Sequence, residues 1–390
     1  MIDLRSFEVP TVMKHGLGAI KAIADVTNKL GMKRPLVVTD PGIVKVGLLD
    51  RLVIPLKATK QGYVIFDEVA PNPSIELVDR AAARYRSEKC DGLIALGGGS
   101  SMDAAKSVGV VAANGGSILD YEWSVPQPIK QRIPPAICIP TTAGTGSEVT
   151  LWAVITDQER KVKFNVGGTP LVGAWCALID PELTLDLPAA VTAGTGMDAL
   201  AHAVECYTCA YAQPFSDAVA LLAMEYVGQY LRIAFAQGHN VEARYHMSMA
   251  AMLGGLAYGT ESAGAAHAMS QSAGGVRDVP HGRLTARLLG PVMEYNYLAE
   301  PRKFARIAQA LGEDIRGLTV WQAAEKAVQA VLRLTEDVEI PSLQELGFQE
   351  EQIPMLAEIA FKDPQTIGNP RDLSLQSYVQ IYRRAFELGR

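Results

Sequence analysis

The chain has 390 residues, is 48% hydrophobic and 20% charged, and carries a formal net charge of −6. Its length exceeds what one hydrophobic core usually serves, so we expect two domains, and the composition excludes a disordered chain. Because no run dense in lysine and arginine occurs, neither nucleic acid nor an anionic membrane is supported as a partner.

The cysteines and the N-terminus indicate the compartment. Five cysteines in so long a chain argue against a disulfide framework and for a reducing environment. The N-terminal stretch carries Asp3, Arg5 and Glu8 and lacks the apolar core of a signal peptide. The apolar stretch 247–259 is shorter than the roughly 20 residues of a membrane span. We therefore expect a soluble, cytoplasmic protein in which this stretch is a buried helix.

The first half of the chain alternates between strand and helix patterns. Compact apolar runs that end in turn residues predict buried parallel strands at 34–40, 62–68, 91–99 and 135–144. Residues 74–88 have the apolar spacing of a helix. This alternation predicts a doubly wound α/β layer with a parallel sheet.

Strand-like runs disappear after residue 187. Helical periodicity then predicts helices at 216–236, 242–258, 283–296, 302–311, 319–335 and 373–388. We place the boundary at Pro188, which gives an α/β dinucleotide-binding domain over residues 1–187 and an all-helical metal and substrate domain over residues 188–390. Active sites commonly lie in the cleft between such domains, and we expect this one there.

A glycine triplet, Gly97, Gly98 and Gly99, stands between a predicted strand and a predicted helix. Glycines allow the backbone to approach an anion, and the N–H groups at a helix start favour phosphate. Ser100 and Asp103 form an S-x-x-D capping pattern there. A simple tight turn would also explain the triplet, since neither the Rossmann nor the Walker A fingerprint is present.

A second loop, residues 140–150, follows another apolar strand. It offers the hydroxyls of Thr141, Thr142, Thr145 and Ser147. Two such loops on one sheet favour a dinucleotide over either loop alone. Asp40 closes the first strand, where a carboxylate would accept hydrogen bonds from the adenosine ribose and repel a 2′-phosphate, favouring NAD over NADP. A helix-capping aspartate explains Asp40 nearly as well.

Four residues have a spacing that suits a metal. Asp198 and His202 lie four positions apart, and His267 and His281 lie fourteen positions apart, so three of the six histidines fall in two segments. One carboxylate with three imidazoles suits Fe²⁺ or Zn²⁺ better than Mg²⁺ or Ca²⁺. Taken singly, each histidine is more often a hydrogen-bonded structural residue, and the spacing leaves both interpretations open.

Several segments together resemble the iron-dependent (group III) alcohol dehydrogenases. They are GGGSSMDAAK, PTTAGTGSEVT, LPAAVTAGTGMDALAHAVECY, the pair His267 and His281, and DPQTIGNPRDLS, in family order along almost the whole chain. The resemblance implies an NAD(P)-binding α/β domain, a helical metal domain and hydride transfer between a small primary alcohol and a nicotinamide. It also implies a homo-oligomer, a dimer or larger.

The resemblance assigns roles to individual residues. Asp198, His202, His267 and His281 would bind iron, with zinc as the second choice. Gly97, Gly98, Gly99, Ser100 and Asp103 would line the pyrophosphate of NAD, and Thr141, Thr142, Thr145 and Ser147 the ribose and nicotinamide side. Lys163 would lie near the nicotinamide ribose and Asn72 in a loop near the cofactor, while Asp40 accompanies NAD preference.

The chain departs from the family pattern at Gln271, where many members carry a second histidine four residues after the third ligand. A glutamine can hydrogen-bond an alcohol but cannot titrate near pH 7. We expect Gln271 to orient the substrate and the proton to leave by another route.

The leading hypothesis is an NAD-dependent, metal-dependent alcohol dehydrogenase or aldehyde reductase. One alternative is a lyase like dehydroquinate synthase, which uses NAD and a metal without net redox change. Another is a cofactor-binding protein that has lost its chemistry. Net NADH accumulation would exclude the lyase, and metal analysis would test the inactive protein.

Overall fold

The computed structural model describes residues 4–124, 127–260 and 263–388. The chain divides into two compact units. The α/β unit comprises Glu8–Thr142 and Gly146–Leu185, and the helical unit comprises Ala143–Thr145, Asp186–Arg390 and the N-terminal stretch that ends at Phe7. The domain boundary at Pro188 stays a prediction. The sequence did not indicate that two short segments of the first half would group with the helical unit.

Regular elements cover most of the α/β unit. Its described strands are β1 (Val12–His15), β2 (Leu36–Val38), β3 (Val64–Phe66), β4 (Leu93–Gly97), β5 (Ala136–Pro140), β6 (Trp152–Asp157), β7 (Val162–Gly167) and β8 (Cys176–Ile179). Its described α-helices are α1 (Ile23–Lys29), α2 (Pro41–Lys45), α3 (Leu48–Ala58), α4 (Ile75–Ser87) and α5 (Gly99–Asn114). Short 3-10 helices occur at Ala19–Ala22, Ile118–Tyr121 and Pro181–Thr184.

Six of these strands form a parallel sheet in the order β1-β8-β5-β4-β2-β3. Successive side chains of a strand point to opposite faces, so Val37 of β2 packs with α1 and α3, whereas Val38 packs with α4 and α5. Both faces are therefore covered by helices, which explains why β2, β4 and β5 are continuous apolar runs. The predicted doubly wound α/β fold is confirmed.

The sequence did not predict four of the strands. β6 and β7 form a separate antiparallel pair, and β6 alternates between buried and half-buried positions. β1 lies at an edge of the sheet and has mostly exposed side chains. β8 is buried but only four residues long. Half-exposed or very short strands lack the long apolar run on which the prediction relied.

The helical unit carries nine described α-helices and no strand among its described residues. They are α6 (Ala189–Thr208), α7 (Pro214–Ala236), α8 (Val241–Thr260), α9 (Ala265–Val276), α10 (His281–Asn296), α11 (Pro301–Ala310), α12 (Val320–Asp337), α13 (Ile353–Phe361) and α14 (Leu375–Glu387). Two 3-10 helices lie at Glu350–Gln352 and Pro364–Gly368. The predicted helical composition is confirmed, and α6 packs against α7, α8 and α10.

Small residues of α8 allow it to lie close to α6. A Cβ at Gly254 would stand 3.1 Å from the backbone oxygen of Ala199 and 3.4 Å from the Cβ of His202. This confirms that stretch 247–259 belongs to a buried helix.

Among the described helices, α7 alone is long and apolar enough to cross a membrane, with a mean hydropathy of 1.2. A core helix of a globular protein meets the same criterion. Because α7 packs against α6 and α8, its composition is weak evidence for a membrane span.

Candidate functional site

Three helices of the helical unit bring predicted metal ligands together. Asp198 lies on α6, His267 on α9, and His281 begins α10. The Oδ1 atom of Asp198 lies 3.9 Å from Nε2 of His267 and 3.7 Å from Nε2 of His281. Ligand atoms of these three residues all lie within 4.8 Å of one another, a spacing that one cation can bridge.

His202 lies beside this group of three without belonging to it. It follows Asp198 by one turn of α6, and its Nδ1 is 4.0 Å from Oδ2 of Asp198. Its ring centroid is 4.4 Å from that of His267. The helical spacing predicted from the sequence therefore puts His202 next to the other predicted ligands, and its role as fourth ligand stays a prediction.

The hydrogen bonding of the cluster fits a bound cation. Among the described residues, Asp198 Oδ1, His202 Nδ1 and His267 Nε2 are buried without a hydrogen-bond partner. Each unsatisfied buried polar atom costs about 1–3 kcal/mol, so native proteins seldom gather several in one place. A carboxylate with imidazole nitrogens is a donor set that Fe²⁺ or Zn²⁺ accepts. A divalent metal between Asp198 and His267 would satisfy Asp198 Oδ1 and His267 Nε2.

The pKa values of His202 and His267 shift in opposite directions because only His267 contacts the carboxylate of Glu205. Burial, and then the charge of His267, lower the pKa of His202 to about 3, so this ring is neutral and able to act as a ligand. Burial alone would lower the pKa of His267 as well. The hydrogen bond and the charge of Glu205 outweigh burial and raise the pKa of His267.

Glu205 lies on α6 and was missed by the sequence analysis. Its carboxylate accepts hydrogen bonds from the backbone N–H groups of Ala266, at 2.6 Å, and His267, at 3.3 Å. Its Oε2 also lies 2.5 Å from Nδ1 of His267. The only sign in the sequence was that a glutamate follows His202 by three residues. Its partner, His267, is 62 residues away in the chain, so the spacing could not indicate the contact.

Glycine at position 282 explains how α10 reaches α6. A Cβ at Gly282 would overlap the backbone oxygen of Gly194 and stand 3.4 Å from the Cβ of Asp198. The glycine after His281 therefore lets the first turn of α10 lie directly on α6. This close approach places the His281 ring beside Asp198.

Gln271, the predicted orienting residue, follows His267 by one turn of α9. Residues four apart share a helix face, so Gln271 lies on the same side of α9 as His267. Its side chain is buried. The position agrees with a role close to the metal, and that role stays a prediction.

In the α/β unit, the strand order creates a switch point between β2 and β4. The chain continues from β2 outward to β3 and from β4 in the opposite direction to β5. In such sheets ligands bind outside the carboxyl ends of the strands at this point. Asp40 follows β2 there, and Gly98 and Gly99 follow β4. The N–H of Thr141 donates to the carbonyl of Gly97 at 2.9 Å, which joins the threonine loop to the glycine loop.

Gly97 has a φ of 153°, a backbone conformation that residues with a side chain rarely adopt, and a Cβ there would overlap Ser101 Oγ. Glycine is therefore required at this position.

The capping pattern predicted for Ser100 and Asp103 is wrong. Helix α5 begins at Gly99 with Gly98 as its N-cap, so the serine already lies inside the helix.

Asp103 fastens the threonine loop to α5. Its Oδ1 accepts a hydrogen bond from Ser147 Oγ at 2.6 Å, and its Oδ2 accepts one from the N–H of Val154 at 3.1 Å. Asp103 and Ser147 are thus engaged with each other, and their predicted contacts with the cofactor stay predictions.

Lys106 also anchors the threonine loop to α5. It is the last residue of GGGSSMDAAK, and no role was predicted for it. It is fully buried, and its Nζ donates to the carbonyl of Ser147 at 2.9 Å, to Thr150 Oγ1 at 3.2 Å and to the carbonyl of Trp152. Burial lowers the pKa of Lys106, and the charge of Asp103, 3.7 Å away, opposes that shift. Burial raises the pKa of nearby Glu148 to about 7, with Lys106 again opposing.

Two roles were predicted for Asp40, a helix cap and a contact with the adenosine ribose. Its Oδ1 accepts a hydrogen bond from the N–H of Ile43 at 3.0 Å and so caps α2. Its Oδ2 would lie 3.3 Å from a Cβ at Gly97, which places the carboxylate at the switch point. The capping role is observed, and the ribose contact stays a prediction.

Two residues assigned only by resemblance lie together. Lys163 Nζ donates to Asn72 Oδ1 at 2.8 Å, although the residues are 91 positions apart.

Thr145 groups with the helical unit. Its neighbour Gly144 lies so close to α6 that a Cβ there would stand 2.6 Å from the oxygen of Thr195.

Comparisons with known proteins agree along the whole chain. The iron-containing alcohol dehydrogenase profile matches residues 10–181, and the C-terminal profile of the Fe-containing alcohol dehydrogenase family matches residues 192–386. A choline dehydrogenase of Bacillus subtilis (strain 168) is 54% identical over 100% of this chain and 96% of the relative. An NAD-dependent methanol dehydrogenase of Bacillus methanolicus is 39% identical over 98% and 100%. A crystal structure of 1,3-propanediol oxidoreductase, 40% identical, matches with a TM-score of 0.95 over 98% and 100%.

Proposed function

This chain belongs to the iron-containing alcohol dehydrogenase family, and from that premise we propose which residues hold the metal and the nucleotide and which alcohol it oxidises. It is an oxidoreductase that interconverts a small primary alcohol and its aldehyde. Iron and NAD are its cofactors, ahead of zinc and NADP. The lyase alternative has no support from the comparisons.

We assign the metal to Asp198, His202, His267 and His281. The observation that carries this assignment is the convergence of buried, unpartnered ligand atoms from α6 and α9 on one place. When bound, iron would supply Lewis-acid polarisation of the substrate oxygen. The helices supply the geometry, because α6 presents Asp198 and His202 one turn apart and Gly282 brings His281 against them.

We assign the nucleotide to the switch point of the sheet. The first N–H groups of α5, together with Gly97, Gly98, Gly99 and Ser100, would take the pyrophosphate. Asp40 would accept from the adenosine ribose and disfavour NADP. Thr141, Thr142, Thr145, Ser147, Lys163 and Asn72 would serve the nicotinamide half, with Asp103 holding the loop in shape.

Gln271 would orient the alcohol through its neutral amide. Because an amide cannot take up the hydroxyl proton, that proton leaves through water or a ribose hydroxyl of the nucleotide. This assignment is supported by the position of Gln271 one turn beyond His267 on α9.

Choline is the alcohol we propose first. The 54% identical relative is a choline dehydrogenase, whereas the propanediol and methanol dehydrogenases are 40% and 39% identical. Choline combines a primary alcohol with a quaternary ammonium group, which aromatic rings attract. Tyr258 supports the proposal, since its ring centroid lies 5.2 Å from that of His202 and 6.2 Å from that of His267.

The test measures NADH formation by the iron-loaded protein with choline, 1,3-propanediol and methanol. The matched control substrate is the neutral isostere of choline, in which carbon replaces nitrogen. A cation–π contribution of about 1–2 kcal/mol predicts that kcat/KM for choline exceeds that for the isostere by roughly 5- to 30-fold. Equal rates with the isostere would reject the choline proposal, and no NADH with any small alcohol would reject the dehydrogenase.

We also expect a cytoplasmic homo-oligomer, a dimer or larger. The five free cysteines support a reducing compartment. Light scattering of the purified protein tests the oligomeric state, and a monomeric mass would contradict it.

A further inference from the structure

We propose that Glu205 is a positioning residue that sets how tightly the helical unit holds its metal. It would do so by fixing both the orientation and the tautomer of the His267 ring. The inference rests on the metal site proposed above, and it concerns a residue that lies outside the four proposed ligands.

The geometry of the carboxylate defines this role. Glu205 projects from α6 onto the first turn of α9, where it meets the N–H groups of Ala266 and His267 and the ring nitrogen Nδ1 of His267. Because a carboxylate only accepts hydrogen bonds, the short contact requires the proton on Nδ1. In the neutral ring, the form that binds a metal, the lone pair then resides on Nε2. That atom lies 3.9 Å from Asp198 Oδ1 and has no hydrogen-bond partner among the described residues.

The same contacts join the helices that carry the ligands. Asp198, His202 and Glu205 lie on α6, so a carboxylate from the helix of two ligands holds the third ligand on α9. Its negative charge lies at the N-terminus of α9, where the helix dipole stabilises it. Histidines that bind metals commonly donate their second N–H to such a carboxylate, and losing that partner typically weakens metal binding 10–100-fold.

The neighbouring sequence leaves room for this carboxylate. Gly264 is the N-cap of α9, and a Cβ there would stand 2.7 Å from Glu205 Oε1 and 3.1 Å from its Cδ. The same Cβ would stand 3.5 Å from Oδ1 of Asn369. Asn369 exchanges two side-chain hydrogen bonds with Asn296, at 2.8 and 2.9 Å. Asn369, which belongs to the C-terminal motif DPQTIGNPRDLS, therefore lies close to the same glycine as Glu205.

The experiment titrates the metal-free protein with Co²⁺ and follows the visible absorption of the bound ion. Glu205→Gln keeps the size of the side chain but replaces one acceptor oxygen with an NH₂ group that would face other donors. We expect the Kd for Co²⁺ to rise 10–100-fold and the Co²⁺ spectrum to change. The matched control is Glu148→Gln, the same change at a buried glutamate of the α/β unit, and its Kd should equal that of the wild type.

Each outcome decides one question. An unchanged Co²⁺ affinity in folded Glu205→Gln would overturn the inference, even if the variant lost thermal stability, since a merely structural residue would behave in that way. If Glu205→Gln does not fold, Gly264→Ala displaces the carboxylate instead, and unchanged affinity there would overturn the inference equally. A wild-type protein that binds no Co²⁺ would instead reject the metal site of the proposed function.

Discussion

The helical unit and the α/β unit each bury a cluster of charged side chains, and the two clusters differ in what completes their hydrogen bonds. In the helical unit, Asp198 Oδ1 and His267 Nε2 have no partner within the described protein. In the α/β unit, Lys106 and Asp103 meet carbonyls, a hydroxyl and a backbone N–H of the protein itself. The first cluster is suited to an external ion, and the second holds a loop in place.

This difference predicts opposite effects of substitution. Removing a ligand from the first cluster should weaken metal binding while the metal-free fold persists, because Asp198 Oδ1 and His267 Nε2 make no hydrogen bond to the described protein that folding could lose. Removing a member of the second should destabilise the fold because it leaves buried polar groups without partners.

The largest effect is expected for His267→Ala. Losing an imidazole from the cluster should weaken Co²⁺ binding by more than the roughly 100-fold upper bound for losing an outer partner, and activity should disappear with the metal. His281→Ala should behave similarly. Metal content of the purified variants and their Co²⁺ titration measure the effect. Stoichiometric metal retained in either variant would remove that residue from the site.

Lys106→Met should destabilise the fold by about 3–5 kcal/mol, the usual cost of removing one partner of a buried charge pair. Methionine retains much of the length of lysine, so the loss reports on the Nζ contacts with the Ser147 carbonyl and Thr150. Urea unfolding measures the free energy, and Co²⁺ affinity should stay at the wild-type value. A free energy of unfolding unchanged by the substitution would show that these contacts do not stabilise the loop.

Glu148→Gln tests a pH dependence in the same cluster. Burial raises the pKa of Glu148 from 4.5 to about 7, so the folded protein holds this proton more tightly than the unfolded chain. The stabilisation by the neutral form is present below pH 4.5 and is lost as the pH rises to about 7. The glutamine of the variant stays neutral at every pH. Above pH 7, the free energy of unfolding of Glu148→Gln should therefore exceed that of the wild type by about 3 kcal/mol.

Below pH 4.5, the wild type and Glu148→Gln should unfold with similar free energies. Urea unfolding at the two extremes is the measurement. The same difference at both pH values would mean that ionisation of Glu148 does not control it.

The smallest effect is expected for Asp40→Gly, where a structural cap and a proposed ribose contact share one carboxylate. Loss of the cap should cost less than about 1 kcal/mol of stability, since glycine is itself tolerated at an N-cap. Loss of repulsion toward the 2′-phosphate should narrow the preference for NAD over NADP by about tenfold, or 1.4 kcal/mol. The ratio of kcat/KM values for the two nucleotides measures it, and an unchanged ratio would leave Asp40 as a cap alone.

Local patterns in the sequence were sufficient for much of this protein. Strand and helix periodicities predicted the doubly wound layer and the helical second half, because burial on a sheet or a helix repeats every few residues. The spacing of Asp198 and His202 placed both on one helix face for the same reason. The sequence motifs and the resemblance that they carry also led to the family.

Tertiary structure decided the rest, because the decisive contacts join distant parts of the chain. Glu205 meets His267 across 62 residues, and Lys106 reaches the carbonyl of Ser147 across 41. The S-x-x-D pattern predicted a cap from local spacing, but Asp103 bonds to Ser147 and Val154 instead. No periodicity encodes such pairs: hydrogen bonds between elements depend on how the elements pack, and packing is settled only when the whole chain folds.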